Sequence, residues 1–200
     1  MCGQNIALSQ KQLCSRQVAP TGNSAIEIAT FSVYHRDMKA LVSFVSTLYI
    51  SFFYVGFVSG GQGTLASIIS LPFILSIASV LPPEPSLRMG WVVGIVLILS
   101  AFAIPAIVHS NHVPVKDCDQ PLIVIDEVIG MLIAASPLLF VQSYSVLHSL
   151  GALALFRIFD IWKPLGIAKI DRWNSPYGVV LDDIVAGGFA AAILSAFFVL

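Results

Sequence analysis

The chain has 200 residues with a formal net charge of -1, and 57% of them are hydrophobic against only 10% charged, where soluble domains average about 45–50% apolar and about 25% charged. This excludes an ordinary soluble domain and reads as a membrane protein, and the absence of a basic patch excludes a nucleic-acid-binding surface. Cys2, Cys14 and Cys118 form no CxxC pair, so neither a disulfide framework nor a zinc site is expected.

Residues 1–40 read as a polar, weakly structured N-terminal extension with turn signals at Pro20, Gly22 and Asn23. Because this mixed, polar segment precedes the first apolar run, that run is expected to be retained rather than cleaved as a secretory signal. Apolar stretches near the roughly 20 residues that cross a bilayer follow at 41–58, 65–81, 90–108, 122–141, 146–162 and 179–200. The expected fold is therefore all-α: a polytopic membrane helical bundle over residues 41–200, with about five or six membrane-embedded helices. Ser43, Ser46, Tyr49, Ser51 and Tyr54 make the first segment amphipathic enough to lie in the interface or to dip in and return.

If all six segments span, alternation puts three connections on one face: the glycine-rich 59–64, the polar 109–121 and the mixed-charge 163–178. Orientation stays open, because Lys11, Arg16, Arg36, Lys39 and Arg88 on one side balance Lys116, Lys163, Lys169 and Arg172 on the other. Trp162, Trp173 and Tyr177 read as interfacial aromatics. His109 and His112 have a spacing that can bind metal, but beside Pro105 and Pro114 they read as interface residues. Asp117, Cys118 and Asp119 read as a polar loop in which Asp119 touches metal at most.

Eight of the eleven acidic residues fall between Asp117 and Asp183. Asp126 and Glu127 lie inside LIVIDEVIGMLIAA, Arg157 and Asp160 inside LALFRIFDIW, and Asp182 and Asp183 open VVLDDIVAGGFAAA. An ionised carboxylate deep in a membrane helix costs about 2.5–3.5 kcal/mol, so the five together would cost on the order of 12 kcal/mol unless compensated. One intramembrane Asp beside an Arg also reads as a structural ion pair, but five carboxylates exceed what Arg157 balances. A Mg2+ ion is the most economical compensation, since it takes one or two carboxylates, keeps waters and holds a substrate phosphate. Arg157, Asp160 and Lys163 follow at spacings of three and share a helix face. Asp183, Ala186, Gly187 and Ala190 mark a small-residue face for close helix approach, and Gly130 plays the same part in its own helix.

The motifs DEVIGM at 126–131, FRIFDIWKP at 156–164 and GVVLDDIVAG at 178–187, in that order and spacing, resemble the phosphatidylglycerophosphatase A family. A weaker likeness lies in GQGTLAS at 61–67, where Gln62 replaces the family's usual proline and Ala66 its second glycine, while Gly63, Thr64 and Ser67 are retained. Leu165 and Gly166 replace a frequent tryptophan and proline. The resemblance implies Mg2+-dependent hydrolysis of phosphatidylglycerophosphate to phosphatidylglycerol and inorganic phosphate, in a multi-pass protein of the bacterial inner membrane. On that basis Asp126, Glu127, Asp160, Asp182 and Asp183 are expected metal ligands, with Glu127 alternatively the base that activates water. Arg157 and Lys163 are expected to grip the phosphate, with Gly63, Thr64 and Ser67 completing its cradle. An aspartyl-phosphate route stays open.

Two other readings compete. A CDP-alcohol-type phosphatidyltransferase would need an aspartate pair leading into glycine and alanine-arginine, with two further spaced aspartates, and that string is absent. A cation transporter with a carboxylate-lined path would be expected to carry repeats or matched broken helices, and the sequence has neither.

Overall fold

The computed structural model describes residues 22–114, 120–141, 145–164 and 166–199. Compact packing divides the chain into two units, Met1–Leu41 and Val42–Leu200. In the first, the described residues are helical from Gly22, the start of α1 (Gly22–Ile50), with Phe31 stacked on His35. Over residues 22–40 this corrects the expectation of a weakly structured extension. No glycine or proline interrupts residues 24–50, and Gly22 and Asn23 open a helix, a place such residues favour as readily as a turn. Residues 1–21, with Cys2 and Cys14, lie outside the described residues, as do Lys116, Asp117, Cys118, Asp119 and Leu165.

In the second unit α1 stops at Ile50, short of the expected 58. Phe52, Phe53 and Tyr54 take left-handed backbone with φ of 46, 55 and 69°, and the Ser51 hydroxyl accepts the Tyr54 N–H at 3.2 Å. A short 3-10 turn, Val55–Phe57, follows, in which a Cβ on Gly56 would overlap the Leu122 carbonyl. Then come α2 (Gln62–Ile77), α3 (Pro85–His109) and α4 (Ile125–Ala135). Pro85 sits in the first turn of α3, where its missing N–H costs nothing. Arg88 anchors that end, its Nε donating to the Pro82 carbonyl at 2.8 Å and its Nη1 to the Leu139 carbonyl. A 3-10 turn, Ser136–Leu139, continues α4, and α5 (Val146–Trp162), α6 (Ile167–Asp171) and α7 (Pro176–Val199) complete the chain.

The described residues are all helical or irregular, as the composition leads one to expect. Of the helices, α3 and α7 are long and apolar enough to cross a membrane, whereas α2 is apolar but has 16 residues. The 122–141 segment does not form one span. At its start Val124 has φ -138° and gives its N–H to the Ile50 carbonyl at 2.9 Å, outside any helix. At its end Pro137, which has no N–H to give, lies in the 3-10 turn. Large apolar side chains cover the outside of α3, among them Leu97, Ile98 and Phe102, each about 60% exposed or more.

Short, apolar α4 is the central element, packed by α2, α3, α5 and α7. Met131, Leu132, Ala134 and Ala135 are buried and cluster with Phe156 of α5 and Ala186 and Ala190 of α7, while buried Ile129 clusters with Ala66 of α2 and Val180 of α7. Contact is closest where α4 crosses α7: a Cβ on Gly130 would meet the Phe156 ring and the Asp183 carbonyl, and a Cβ on Gly187 would overlap the Gly130 carbonyl. At such a crossing only glycine lets the backbones touch. Nearby Gly188 has open space around it. Gly187→Val is therefore expected to lower stability by about 1–3 kcal/mol through overpacking, while Gly188→Ala is neutral or slightly stabilising, and thermal unfolding in detergent separates the two.

A carboxylate-lined cavity as the candidate active site

A cavity of about 280 Å³ opens where α2, α4, α5, α6 and α7 meet. Residues from all three connections expected on one face reach it: Gly61, Gln62 and Gly63; Gln120 and Pro121; and Lys163 and Asp171. Its charged lining is Asp126, Glu127, Arg157, Asp160, Lys163, Asp171, Asp182 and Asp183.

Asp126 and Glu127 stand in the first turn of α4, where unsatisfied N–H groups and the helix dipole favour negative charge. The Asp126 Oδ1 accepts the Glu127 N–H at 3.1 Å, and on α7 the Asp182 Oδ1 likewise accepts the Asp183 N–H at 3.0 Å. One carboxylate oxygen from each of Asp126, Glu127 and Asp183 lies within 4.8 Å of the others. Asp126 and Asp183 are buried, at 8% and 3% exposure. Gly63 closes this group from α2: a Cβ there would strike Glu127 Oε1.

The cations come from the other end of a helix. Arg157 lies in α5 one turn before Asp160, with Nη1 2.6 Å from Asp160 Oδ2. That pair is close but poorly aligned, so Nη1 and Nε of Arg157 are buried without a hydrogen bond. Lys163 caps α5 in a left-handed conformation with φ 44°, and this turn sends its ammonium to Asp182 Oδ2 at 2.6 Å and to Asp171. Burial disfavours the charged ammonium, but the hydrogen bonds and attraction of Asp171 and Asp182 outweigh it and raise the lysine's pKa.

These facts sort the expected site residues. The cavity gathers Asp126, Glu127, Arg157, Asp160, Lys163, Asp182, Asp183 and Gly63. Thr64 and Ser67 do not line it. Ser67 is fully buried and its hydroxyl donates back to the Gly63 carbonyl at 2.8 Å, within its own helix. Asp182 stands apart from the three-carboxylate group, its two oxygens taken by Lys163 and the Asp183 N–H. His109 bonds the Pro105 carbonyl and His112 packs on Phe57, both away from the cavity. Trp162, Trp173 and Tyr177 are exposed. Asp171 and Gln120 line the cavity without having been singled out, and Gln62, noted only as a departure from the family's proline, lines it too; no periodic signal marks them, since they sit at helix ends and in a loop.

The donor set suits a hard divalent cation: three carboxylates from two helices converge, and Glu127 Oε2 is buried with no hydrogen-bond partner. The unpartnered guanidinium nitrogens of Arg157 suit an anion beside it. Buried acids beside an Arg and a Lys, on an all-helical scaffold, have the composition of a phosphate-handling site. A family model described as phosphatidylglycerophosphatase A matches residues 48–198, and the chain belongs to that family and is a lipid phosphatase. A Bacteroides thetaiotaomicron protein named, provisionally, a phosphatidylinositol-3-phosphatase is 30% identical over 76% of this chain and 93% of its own. The Escherichia coli phosphatidylglycerophosphatase A is 32% identical over 70% of this chain and 78% of its own. The Haemophilus influenzae phosphatidylglycerophosphatase A is 37% identical over 39% and 47%. No solved structure matches the chain.

Removing Lys163 would leave Asp182, 6% exposed, facing Asp171 with no cation between them. Lys163→Met is expected to cost about 1–3 kcal/mol, against no measurable change for Lys169→Met at an exposed position, by thermal unfolding of the purified protein.

Proposed function

We propose that this chain hydrolyses phosphatidylglycerophosphate to phosphatidylglycerol and inorganic phosphate, with Mg2+, from within the bacterial inner membrane. The observation that carries the reading is the convergence of Asp126, Glu127 and Asp183 within 4.8 Å in a cavity that also holds the unsatisfied guanidinium of Arg157. In this reading the membrane-embedded domain is residues 41–200, with α2, α4 and α5 sheltered between α3, α7 and lipid. Exposed apolar side chains on α3 support a lipid environment, because patches of this size are costly in water.

Asp126, Glu127 and Asp183 would hold the ion, with Asp160 beside them. When bound, Mg2+ neutralises charge on phosphoryl oxygens and lowers the pKa of coordinated water. Arg157 presents its Nε, which makes no hydrogen bond, to the phosphate, and Asp160 lies against Nη1 of the same guanidinium. Glu127, whose Oε2 is buried without a hydrogen-bond partner, serves either as the third ligand or as the base that takes a proton from the attacking water. Lys163, tethered by Asp171 and Asp182, supplies a fixed positive charge. Asp182 thus acts through Lys163, and Gly63 serves by letting Glu127 approach.

A second reading has one specific support: the relative named a phosphatidylinositol-3-phosphatase matches over nearly its whole length, so phosphatidylinositol 3-phosphate is the alternative substrate. Phosphate release from phosphatidylglycerophosphate, phosphatidylinositol 3-phosphate and phosphatidate, each with Mg2+ and with chelator, decides between them. The expected result is fastest release from phosphatidylglycerophosphate, lost with chelator. Asp126→Asn, Asp160→Asn and Asp183→Asn should each lower kcat by about a hundredfold or more while circular dichroism stays helical, and wild-type turnover by any one removes that residue from the site.

A further inference from the structure

The charged groups of the cavity account for a metal and a phosphate, but they do not cover the whole lining. One stretch of wall, from Gly61, Gln62, Gly63, Gln120, Pro121 and Ile123, carries no charge. Its only side-chain hydrogen-bonding groups are the carboxamides of Gln62 and Gln120. Gln62 and Gln120 are half-buried, as are Glu127, Arg157, Asp160, Lys163 and Asp171, but each glutamine adjoins an exposed rim residue, Gly61 or Pro121, whereas Asp126, Asp182 and Asp183 are buried.

A lipid phosphomonoester whose phosphate reaches the buried carboxylates must leave the cavity past this rim to rejoin its acyl chains. The part of the head group lying there is the alcohol that bears the phosphate. In a polyol head group that alcohol keeps free hydroxyls, each both donor and acceptor, and a carboxamide offers two donors and an acceptor to match them. Lys163, which can only donate and is held by Asp171 and Asp182, matches only one of the two roles of a hydroxyl.

We propose that Gln62 and Gln120 form a hydroxyl-reading subsite at the mouth of the cavity, which selects lipid phosphates whose head group is a polyol over those that lack a free hydroxyl. This rests on the lipid phosphatase reading above and names the substrate class of that site. The two amides are held by rigid neighbours: Gln62 opens α2 directly after left-handed Gly61, and Gln120 precedes the Pro121–Val124 segment that is tied to Ile50.

The test is the ratio of kcat/KM for phosphatidylglycerophosphate to that for phosphatidate, whose phosphate carries no head-group alcohol. It is measured with Mg2+ in mixed micelles for wild type, Gln62→Ala, Gln120→Ala and the near-isosteric Gln62→Met. Each variant is expected to lower the ratio by about three- to tenfold, the worth of one uncharged hydrogen bond, mostly through KM on the polyol substrate. Gln62→Met keeps the test valid should the alanine variant fold poorly. A ratio equal to wild type in all three variants, with both substrates slowed alike, overturns the subsite and leaves the phosphatase reading standing. If wild type releases phosphate from neither lipid, that reading and the subsite fall together.

Discussion

The geometry of the site depends on a contact made without side chains, the crossing of α4 and α7 at Gly130 and Gly187. Each glycine follows a cavity carboxylate by four residues, Asp126 in one helix and Asp183 in the other, and so lies about one turn beyond it. Backbone touching backbone fixes the separation of the two helices more rigidly than any pair of rotamers, and the carboxylates one turn away inherit that separation. Ala186 and Ala190, both buried, continue the same small-residue face of α7. The close approach and the acidic cluster are thus two consequences of one stretch of sequence.

Helix polarity arranges the charges around that crossing. The N-termini of α2 and α4 point at the carboxylates, the end of a helix that favours anions, while Arg157 and Lys163 come from the last turns of α5, the end that favours cations. Lys163 reaches back only because its backbone turns left-handed at the end of the helix. Asp126, Asp160, Asp171 and Asp182 each face a cation or a backbone N–H, whereas Glu127 and Asp183 converge with Asp126 on a space where only a bound cation or protons would offset the charge.

Much of this was legible in the sequence. Charged residues inside apolar runs are rare enough that Asp126, Glu127, Arg157, Asp160, Asp182 and Asp183 announce themselves, and the spacing of Gly130 and Gly187 from them marks the crossing. What the sequence hides is local. Gly63 reads as part of a phosphate loop, and its lack of a side chain also leaves room for Glu127, distant in the chain. Ser67 satisfies its own helix, a choice open to any helical serine. Asp171 is eight residues from its lysine, across a short helix, where periodicity carries no information. Helix ends were also misplaced, because apolar content continues through the turns at Phe52–Tyr54 and Ser136–Leu139, and hydropathy sees composition, not backbone hydrogen bonds.

The lining of the cavity, six carboxylates against two cations, has a formal excess of four negative charges before anything enters. In the proposed reading, walls of that sign would draw in small cations and repel a phosphorylated head group until those are bound, so the counter-charge would enter before the lipid anion and would hold the freed phosphate after cleavage.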